Sequence, residues 1–114
     1  MITLYHNPRC SKSRQALALL EEHGETVEVV RYLDTPPDAD ALEAILAKLA
    51  LPARDLLRKG EAEYKTLGLA DTELSDQQLV EAMARHPKLI ERPIAIKGQR
   101  AVIGRPPETV LTLL

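Results

Sequence analysis

A single cysteine, Cys10, is the residue in this sequence best suited to covalent chemistry. It lies between a strand-like segment and a predicted helix, where unpaired backbone N–H groups and the helix dipole favour negative charge. The stretch from His6 to Arg14 also contains Arg9 and Lys12 but no acidic residue, although the whole chain has a net charge of −2. Such surroundings lower the pKa of a thiol. We therefore interpret Cys10 as a nucleophile rather than a small buried core residue.

The residues that follow Cys10 argue against two familiar cysteine mechanisms. Ser13 stands where a C-x-x-C redox pair has its second cysteine, and Ala16 stands where a phosphatase-type anion loop has arginine. Ser13 can instead donate a hydrogen bond to the thiolate, and His6 can tune the ionisation of the cysteine or orient the loop. Because the chain has no second cysteine, any redox cycle must take another thiol from a separate molecule.

Three arginines beside chain-breaking residues are candidates for binding an oxyanion. Arg58 ends a short helical segment, Arg92 directly precedes Pro93 at the entrance to a predicted hairpin, and Arg105 stands at the exit. The last two flank one hairpin and can lie at the same edge of a sheet. Guanidinium groups suit tetrahedral oxyanions because they stay charged and offer planar, bidentate donors. An anion site requires that all three converge on Cys10.

Composition and charge narrow the other possibilities. A chain of 114 residues that is 45% hydrophobic has the size and core of one domain. Its small negative net charge argues against nucleic-acid or acidic-membrane binding. It has no membrane-spanning run and no signal-peptide pattern, so we expect a cytoplasmic location. Three scattered histidines and one cysteine do not form a zinc pattern, so we expect no metal.

Hydrophobic periodicity and chain breakers predict an α/β fold. The predicted elements are, in chain order, a strand at 2–5, a helix at 11–23, a strand at 26–30, a helical region, a hairpin of strands at 93–97 and 100–103, and a helix at 108–114. The first three form a βαβ unit with parallel strands. A capping box of Ser75 and Gln78 begins the last helix of the middle region. Gly98-Gln99 suits a two-residue type II′ turn.

These features together resemble the glutaredoxin-dependent arsenate reductase family. The likeness spans almost the whole chain, in order, and is carried by Tyr5-His6-Asn7-Pro8-Arg9-Cys10-Ser11-Lys12-Ser13-Arg14, Arg31-Tyr32-Leu33, Leu56-Leu57-Arg58-Lys59, Leu67-Gly68-Leu69, His86-Pro87, Ile90-Glu91-Arg92-Pro93-Ile94 and Gly104-Arg105-Pro106. It implies a thioredoxin-like fold with a mixed four-stranded sheet. The chain would then be one domain of residues 1–114 with a helical insertion at about 36–87 and a cis-proline at Pro93.

The same resemblance implies arsenate reductase activity. It places the nucleophile on Cys10, the oxyanion ligands on Arg58, Arg92 and Arg105, and the residues that assist the thiolate on His6 and Ser13. The thiolate would attack arsenate, glutathione would add, and glutaredoxin would remove it as a mixed disulfide before arsenite leaves. The expected partners are therefore arsenate, glutathione as co-substrate and glutaredoxin. The resemblance implies no tightly bound cofactor, and we expect a monomer.

Two other interpretations stay open at this point. Spx-type regulators share the fold and bind RNA polymerase, but their redox switch usually has C-x-x-C, which Ser13 interrupts. A monothiol glutaredoxin-like oxidoreductase acting on glutathione mixed disulfides is compatible with C-x-x-S, although Arg92-Pro93 and the additional arginines point away from it. Arsenate-dependent turnover would distinguish the reductase from both.

Overall fold

The computed structural model describes all 114 residues and contains one four-stranded sheet. Its strands are β1 (Ile2–Tyr5), β2 (Val27–Val30), β3 (Ile94–Lys97) and β4 (Arg100–Ile103), in the spatial order β2-β1-β3-β4. β1 is parallel to β2, and β3 is antiparallel to both β1 and β4. The parallel pair is joined by a helix because parallel strands need a crossover connection. The predicted α/β class and mixed four-stranded sheet are confirmed.

Four α-helices and three short 3₁₀ helices complete the chain. They are α1 (Ser11–Glu22), α2 (Ala39–Leu49), α3 (Ala62–Thr66) and α4 (Asp76–Arg85), with 3₁₀ helices at Ala53–Leu56, Pro87–Leu89 and Pro107–Leu113. The last of these replaces the helix predicted at 108–114 and is tighter than an α-helix. Helix α3 was not predicted, because its five residues include no buried side chain that would mark a periodic face.

Local signals explain where several elements begin and turn. Ser75 Oγ accepts the backbone N–H of Gln78, and the Gln78 side chain accepts the N–H of Ser75, so the predicted capping box at the start of α4 is confirmed. Lys97 pairs with Arg100 across the hairpin, which leaves a two-residue turn. Gly98 has φ +62° and Gln99 does not have positive φ, as a type II′ turn requires.

Residue contacts divide the chain into two compact units. The first contains Met1–Thr35 and Arg92–Leu114, and the second contains Pro36–Glu91. The second unit begins where the insertion was predicted but extends beyond residue 87. After α4 the chain continues through the 3₁₀ helix Pro87–Leu89, and Ile90 then forms a bridge with Leu57, which ties this stretch to the helices. None of the helices is long and apolar enough to cross a membrane.

The core of the first unit is aliphatic, as the lack of phenylalanine and tryptophan requires. Its buried residues come from both ends of the chain and are Ile2, Leu4, Ala16, Leu20, Ala95, Val110 and Leu113. Leu17 and Leu19 of α1 are only partly buried at the margin of this cluster. The same helix instead buries Ser13 completely, and this polar residue belongs to the loop that carries the cysteine.

Candidate functional site

Asn7 organises the loop that connects β1 to α1. Its side-chain oxygen accepts the backbone N–H of Arg9 at 3.0 Å, and its carbonyl accepts the N–H of Cys10, also at 3.0 Å. Its own N–H donates to Ser13 Oγ at 3.3 Å. Asparagine favours such turns because its short side chain can bond backbone groups two residues away. These three bonds fix the backbone on both sides of the cysteine, a role of Asn7 that was not predicted from the sequence.

Arg14 closes this loop from the helix side with two further hydrogen bonds. Arg14 Nη1 donates to the carbonyl of Pro8 at 2.8 Å, and the backbone N–H of Arg14 donates to the carbonyl of Cys10 at 3.1 Å. From the sequence, Arg14 was expected only to contribute to the local positive charge. Its side chain in fact spans the loop and holds it against the first turn of α1. The cysteine is therefore presented from a loop braced by side chains on both sides.

Cys10 is half-buried and stands at the N-cap of α1. Burial by itself raises the pKa of its thiol, but hydrogen bonds from the Ser13 backbone N–H, the Arg92 side chain and the Lys12 N–H lower it. The positive charge of Arg92 lowers it further, so the net pKa lies below that of an ordinary thiol. Arg105 Nη2 also lies 3.7 Å from Sγ as a donor. The structure therefore favours a thiolate, as the nucleophile hypothesis requires.

The ends of the hairpin bring two arginines to the cysteine. Arg105 Nε donates to the carbonyl of Arg92 at 2.8 Å, so the entrance and exit of the hairpin are joined beside Sγ. The Arg92–Pro93 and Arg105–Pro106 peptide bonds are both cis. The backbone N–H of Gly104 donates to the carbonyl of Pro93 at 2.8 Å, which extends the pairing of β3 with β4 by one residue. Two cationic groups that flank one hairpin in the sequence therefore meet at one thiol.

Ser13 lies beside the cysteine, where its hydroxyl was expected to donate a hydrogen bond to the thiolate. Its side chain is fully buried, and its hydroxyl oxygen accepts the N–H of Asn7. The group of Ser13 that stabilises the thiolate and lowers the pKa of Cys10 is the backbone N–H. The first turn of a helix offers such N–H groups because they have no partner within the helix. That the hydroxyl itself assists the thiolate stays a prediction.

His6 is 5% exposed and follows directly after β1. Its backbone N–H donates to the carbonyl of Val30, which extends the pairing of β1 with β2. Burial lowers the pKa of His6, and the positive charges of Arg31 and Arg14 lower it further. The imidazole is therefore neutral at neutral pH, and its buried Nδ1 has no hydrogen-bond partner. No hydrogen bond joins this ring to Cys10, so its effect on the thiol stays a prediction.

Arg58 belongs to the second unit, Pro36–Glu91, whereas the other predicted site residues belong to the first. Its Nη1 lies 3.0 Å from Glu91 Oε1, and its Nε lies 3.4 Å from Glu61 Oε1. The guanidinium is thus held by two carboxylates. Sequence spacing could have indicated Glu61, three residues away. Glu91 is distant along the chain and offered no signal. No cluster of three or more histidine, cysteine or acidic side chains could hold a metal ion.

A mixed four-stranded sheet that contains a βαβ unit, with a cysteine at the start of its helix and two arginines beside that cysteine, defines the thioredoxin-like class. The chain belongs to the ArsC family, whose model matches residues 5–113. It is 52% identical to uncharacterized protein YfgD of Escherichia coli K12 over 99% of this chain and 96% of that protein. It is 50% identical to an arsenate reductase of Neisseria meningitidis over 99% of this chain and 97% of the relative.

Solved structures agree with this assignment. The structure of an arsenate reductase from Vibrio cholerae matches with a TM-score of 0.97 and 49% identity, and the match covers 99% of this chain and 97% of that one. The predicted membership of this family and the thioredoxin-like fold are therefore confirmed.

Proposed function

We propose that this protein is an arsenate reductase in which the Cys10 thiolate attacks arsenate. The observation that carries the proposal is the placement of Arg92 and Arg105 at the sulfur of a thiol whose pKa is lowered. Guanidinium groups at this position neutralise the charge of an incoming oxyanion, which would otherwise repel the thiolate. Family relatives named arsenate reductase support arsenate as the anion.

The single cysteine supplies only the first bond of the reaction. Sγ bonds to arsenic(V) as one arsenate oxygen leaves as water, which gives a thiol-arsenate adduct. A glutathione thiol then replaces a second oxygen, again with loss of water. Glutaredoxin attacks the glutathione sulfur, and the sulfur–arsenic electron pair stays on arsenic, which becomes arsenic(III). Glutaredoxin and glutathione leave as a mixed disulfide, and water releases arsenite from Cys10. The two external thiols together supply the two electrons.

The ion pairs of Arg58 weaken its expected role in the proposal. Glu91 and Glu61 already offset the positive charge of its guanidinium, so Arg58 should attract an anion less strongly than an arginine without such partners. Arg92 and Arg105, by contrast, contact the sulfur of Cys10 directly. We therefore expect replacement of the two hairpin arginines to weaken catalysis more than replacement of Arg58.

The test couples the protein to glutathione, glutaredoxin, glutathione reductase and NADPH and follows arsenate-dependent NADPH consumption. Cys10→Ser should abolish the activity. Arg92→Ala and Arg105→Ala should each lower kcat/KM by at least about tenfold, the loss expected when one hydrogen bond to a charged group is removed. Arg85→Ala is the control, because it removes the same charge from an exposed position on α4.

Activity that survives in Cys10→Ser would refute the mechanism. Lack of arsenate turnover in the wild-type protein, together with tight binding to RNA polymerase, would favour a regulator of the Spx type. Lack of arsenate turnover together with reduction of glutathione mixed disulfides would favour a monothiol oxidoreductase.

A further inference from the structure

A cleft of about 450 Å³ lies between the loop that carries Cys10 and the segment after β2. The residues that line it are His6, Asn7, Pro8, Arg9, Arg31, Leu33 and Asp34. Its volume is in the range of pockets that bind small molecules. Neither Cys10 nor the two hairpin arginines line this cleft, so the proposed attack on arsenate does not use it. Two other depressions lie on the second unit and contain no cysteine.

The charged side chains of the cleft have no ion-pair partner within the protein. Arg9, Arg31 and Asp34 are exposed, and none of them forms a salt bridge or a side-chain hydrogen bond. Their hydrogen bonds involve backbone groups only, in the turn that follows β2 for Arg31 and Asp34 and in the cysteine loop for Arg9. The cleft thus presents two cations and one carboxylate to a ligand. This combination matches a zwitterion, which carries a carboxylate and an ammonium on one carbon.

His6 forms a neutral, almost fully buried part of the cleft wall. The side chain is about 95% buried, yet its Nδ1 has no hydrogen-bond partner. Buried polar atoms without partners are rare, because each costs roughly 1–3 kcal/mol. The imidazole lines the cleft, and Nδ1 lies behind the surface that a ligand would contact.

We propose that this cleft binds the zwitterionic amino-acid end of the small-molecule thiol that reacts after Cys10. The ligand carboxylate lies at Arg9 and Arg31, and its ammonium lies at Asp34. The proposal rests on the proposed function, because it assumes that a thiol from solution continues the reaction. Arg9 directly precedes Cys10, so the cleft and the nucleophile share one loop. Glutathione has the required groups, since its γ-glutamyl end is an intact amino-acid zwitterion.

Binding is tested with S-methylglutathione, whose blocked sulfur cannot react, so the result does not depend on arsenate chemistry. Calorimetry or NMR titration compares the wild-type protein with Arg31→Ala, Asp34→Asn and the control Arg85→Ala. The first two variants should bind at least about tenfold more weakly, the loss expected for one charged hydrogen bond. Arg85→Ala should bind like the wild type. Because both cleft positions are exposed, we expect the variants to keep their melting temperature.

An acetylated analogue tests the role of Asp34 directly. N-acetyl-S-methylglutathione lacks the ammonium and should bind the wild-type protein more weakly than S-methylglutathione does. Asp34→Asn should bind the two probes equally, because the carboxylate that distinguishes them is gone. In the coupled assay, Arg31→Ala should raise the KM for glutathione and leave the KM for arsenate unchanged.

The proposal is overturned if the wild-type protein does not bind S-methylglutathione, or if Arg31→Ala binds it as tightly as the wild type. It is also overturned if Asp34→Asn still discriminates between the two probes. The proposed function is checked separately by arsenate turnover with other thiol reductants. Loss of probe binding with intact arsenate turnover would refute the cleft alone, and the reverse result would refute the arsenate reaction alone.

Discussion

Gly104 is the position where the smallest change should disturb the site most. A Cβ at this residue would lie 2.7 Å from Cγ of Pro93 and 3.1 Å from Cγ1 of Val110. The first distance is 0.7 Å shorter than the 3.4 Å at which ordinary van der Waals contact begins. Both neighbours are buried, so neither side chain can move into solvent. The backbone of Gly104 is not in the left-handed region, so the effect of Gly104→Ala is steric.

Overpacking of this kind costs about 1–3 kcal/mol. For a domain of this size, each kcal/mol lowers Tm by roughly 4–8 °C. Because Gly104 directly precedes Arg105, the displacement should also move the guanidinium away from Sγ and slow the alkylation of Cys10 near neutral pH. Urea unfolding measures the stability loss as a lower midpoint with an unchanged slope. Iodoacetamide alkylation, followed by intact mass, reports the thiol.

Gly60→Ala is the matched control. A Cβ at Gly60 meets nothing within 4 Å, and its φ is not positive, so the same substitution should leave stability unchanged or raise it slightly. If Gly104→Ala unfolds at the same urea concentration as Gly60→Ala, the close packing of Gly104 against Pro93 does not constrain the protein. Unchanged alkylation of a destabilised Gly104→Ala would show that the hairpin exit does not position Arg105.

Three further changes test the electrostatics and the capping of the fold. Although burial raises the pKa of Cys10, backbone N–H groups and Arg92 lower it overall, so alkylation should persist to lower pH than for a free thiol, and Arg92→Ala should shift the profile to higher pH. Burial and then nearby arginines lower the pKa of His6. Below about pH 6.5 the unfolded chain therefore takes up a proton that the folded protein does not. The free energy of unfolding should decrease as the pH is lowered, and it should decrease more steeply in the wild type than in His6→Gln. Ser75→Ala removes a capping-box partner of Gln78 and should cost about 1 kcal/mol, measured by urea unfolding.

Each of these expectations has an outcome that contradicts it. An alkylation profile of Arg92→Ala that overlies the wild-type profile would remove Arg92 from the stabilisation of the thiolate. Equal pH dependence of the urea midpoint in the wild type and in His6→Gln would show that His6 is not the titrating group. Ser75→Thr retains a capping hydroxyl and serves as the control, so equal stability of Ser75→Ala and Ser75→Thr would refute the capping argument.

Sequence signals were reliable where a few neighbouring residues determine the structure. The capping box of Ser75 and Gln78 is complete within four residues, and the turn at Gly98 needs only its immediate neighbours. The parallel pairing of β1 with β2 follows from the length of the crossover helix. These features depend on backbone geometry and on the local choice of residues, both of which can be read directly from the chain.

Contacts between distant parts of the chain were not predictable in the same way. Arg58 pairs with Glu91, and the cleft of His6 is completed by Arg31 from the segment after β2. No local pattern links such residues, because the pairing is set by how the elements pack. The hydrogen bond of the Ser13 hydroxyl was not predictable either. The sequence shows that Ser13 is near Cys10, but its hydroxyl accepts the Asn7 N–H only because of the path that the loop takes.

The geometry at Arg105 explains why an arginine suits this position better than a lysine. Its Nε donates to the carbonyl of Arg92 while its Nη2 donates to Sγ of Cys10. The two donors belong to one rigid, planar group, so the bond to the backbone sets the direction in which the other donor points. A lysine ammonium could supply the charge but not this fixed angle. The hydrogen bond from Nε to the Arg92 carbonyl therefore fixes the position of Nη2. In this way the exit of the hairpin holds the positive charge of Arg105 at the sulfur before any anion binds.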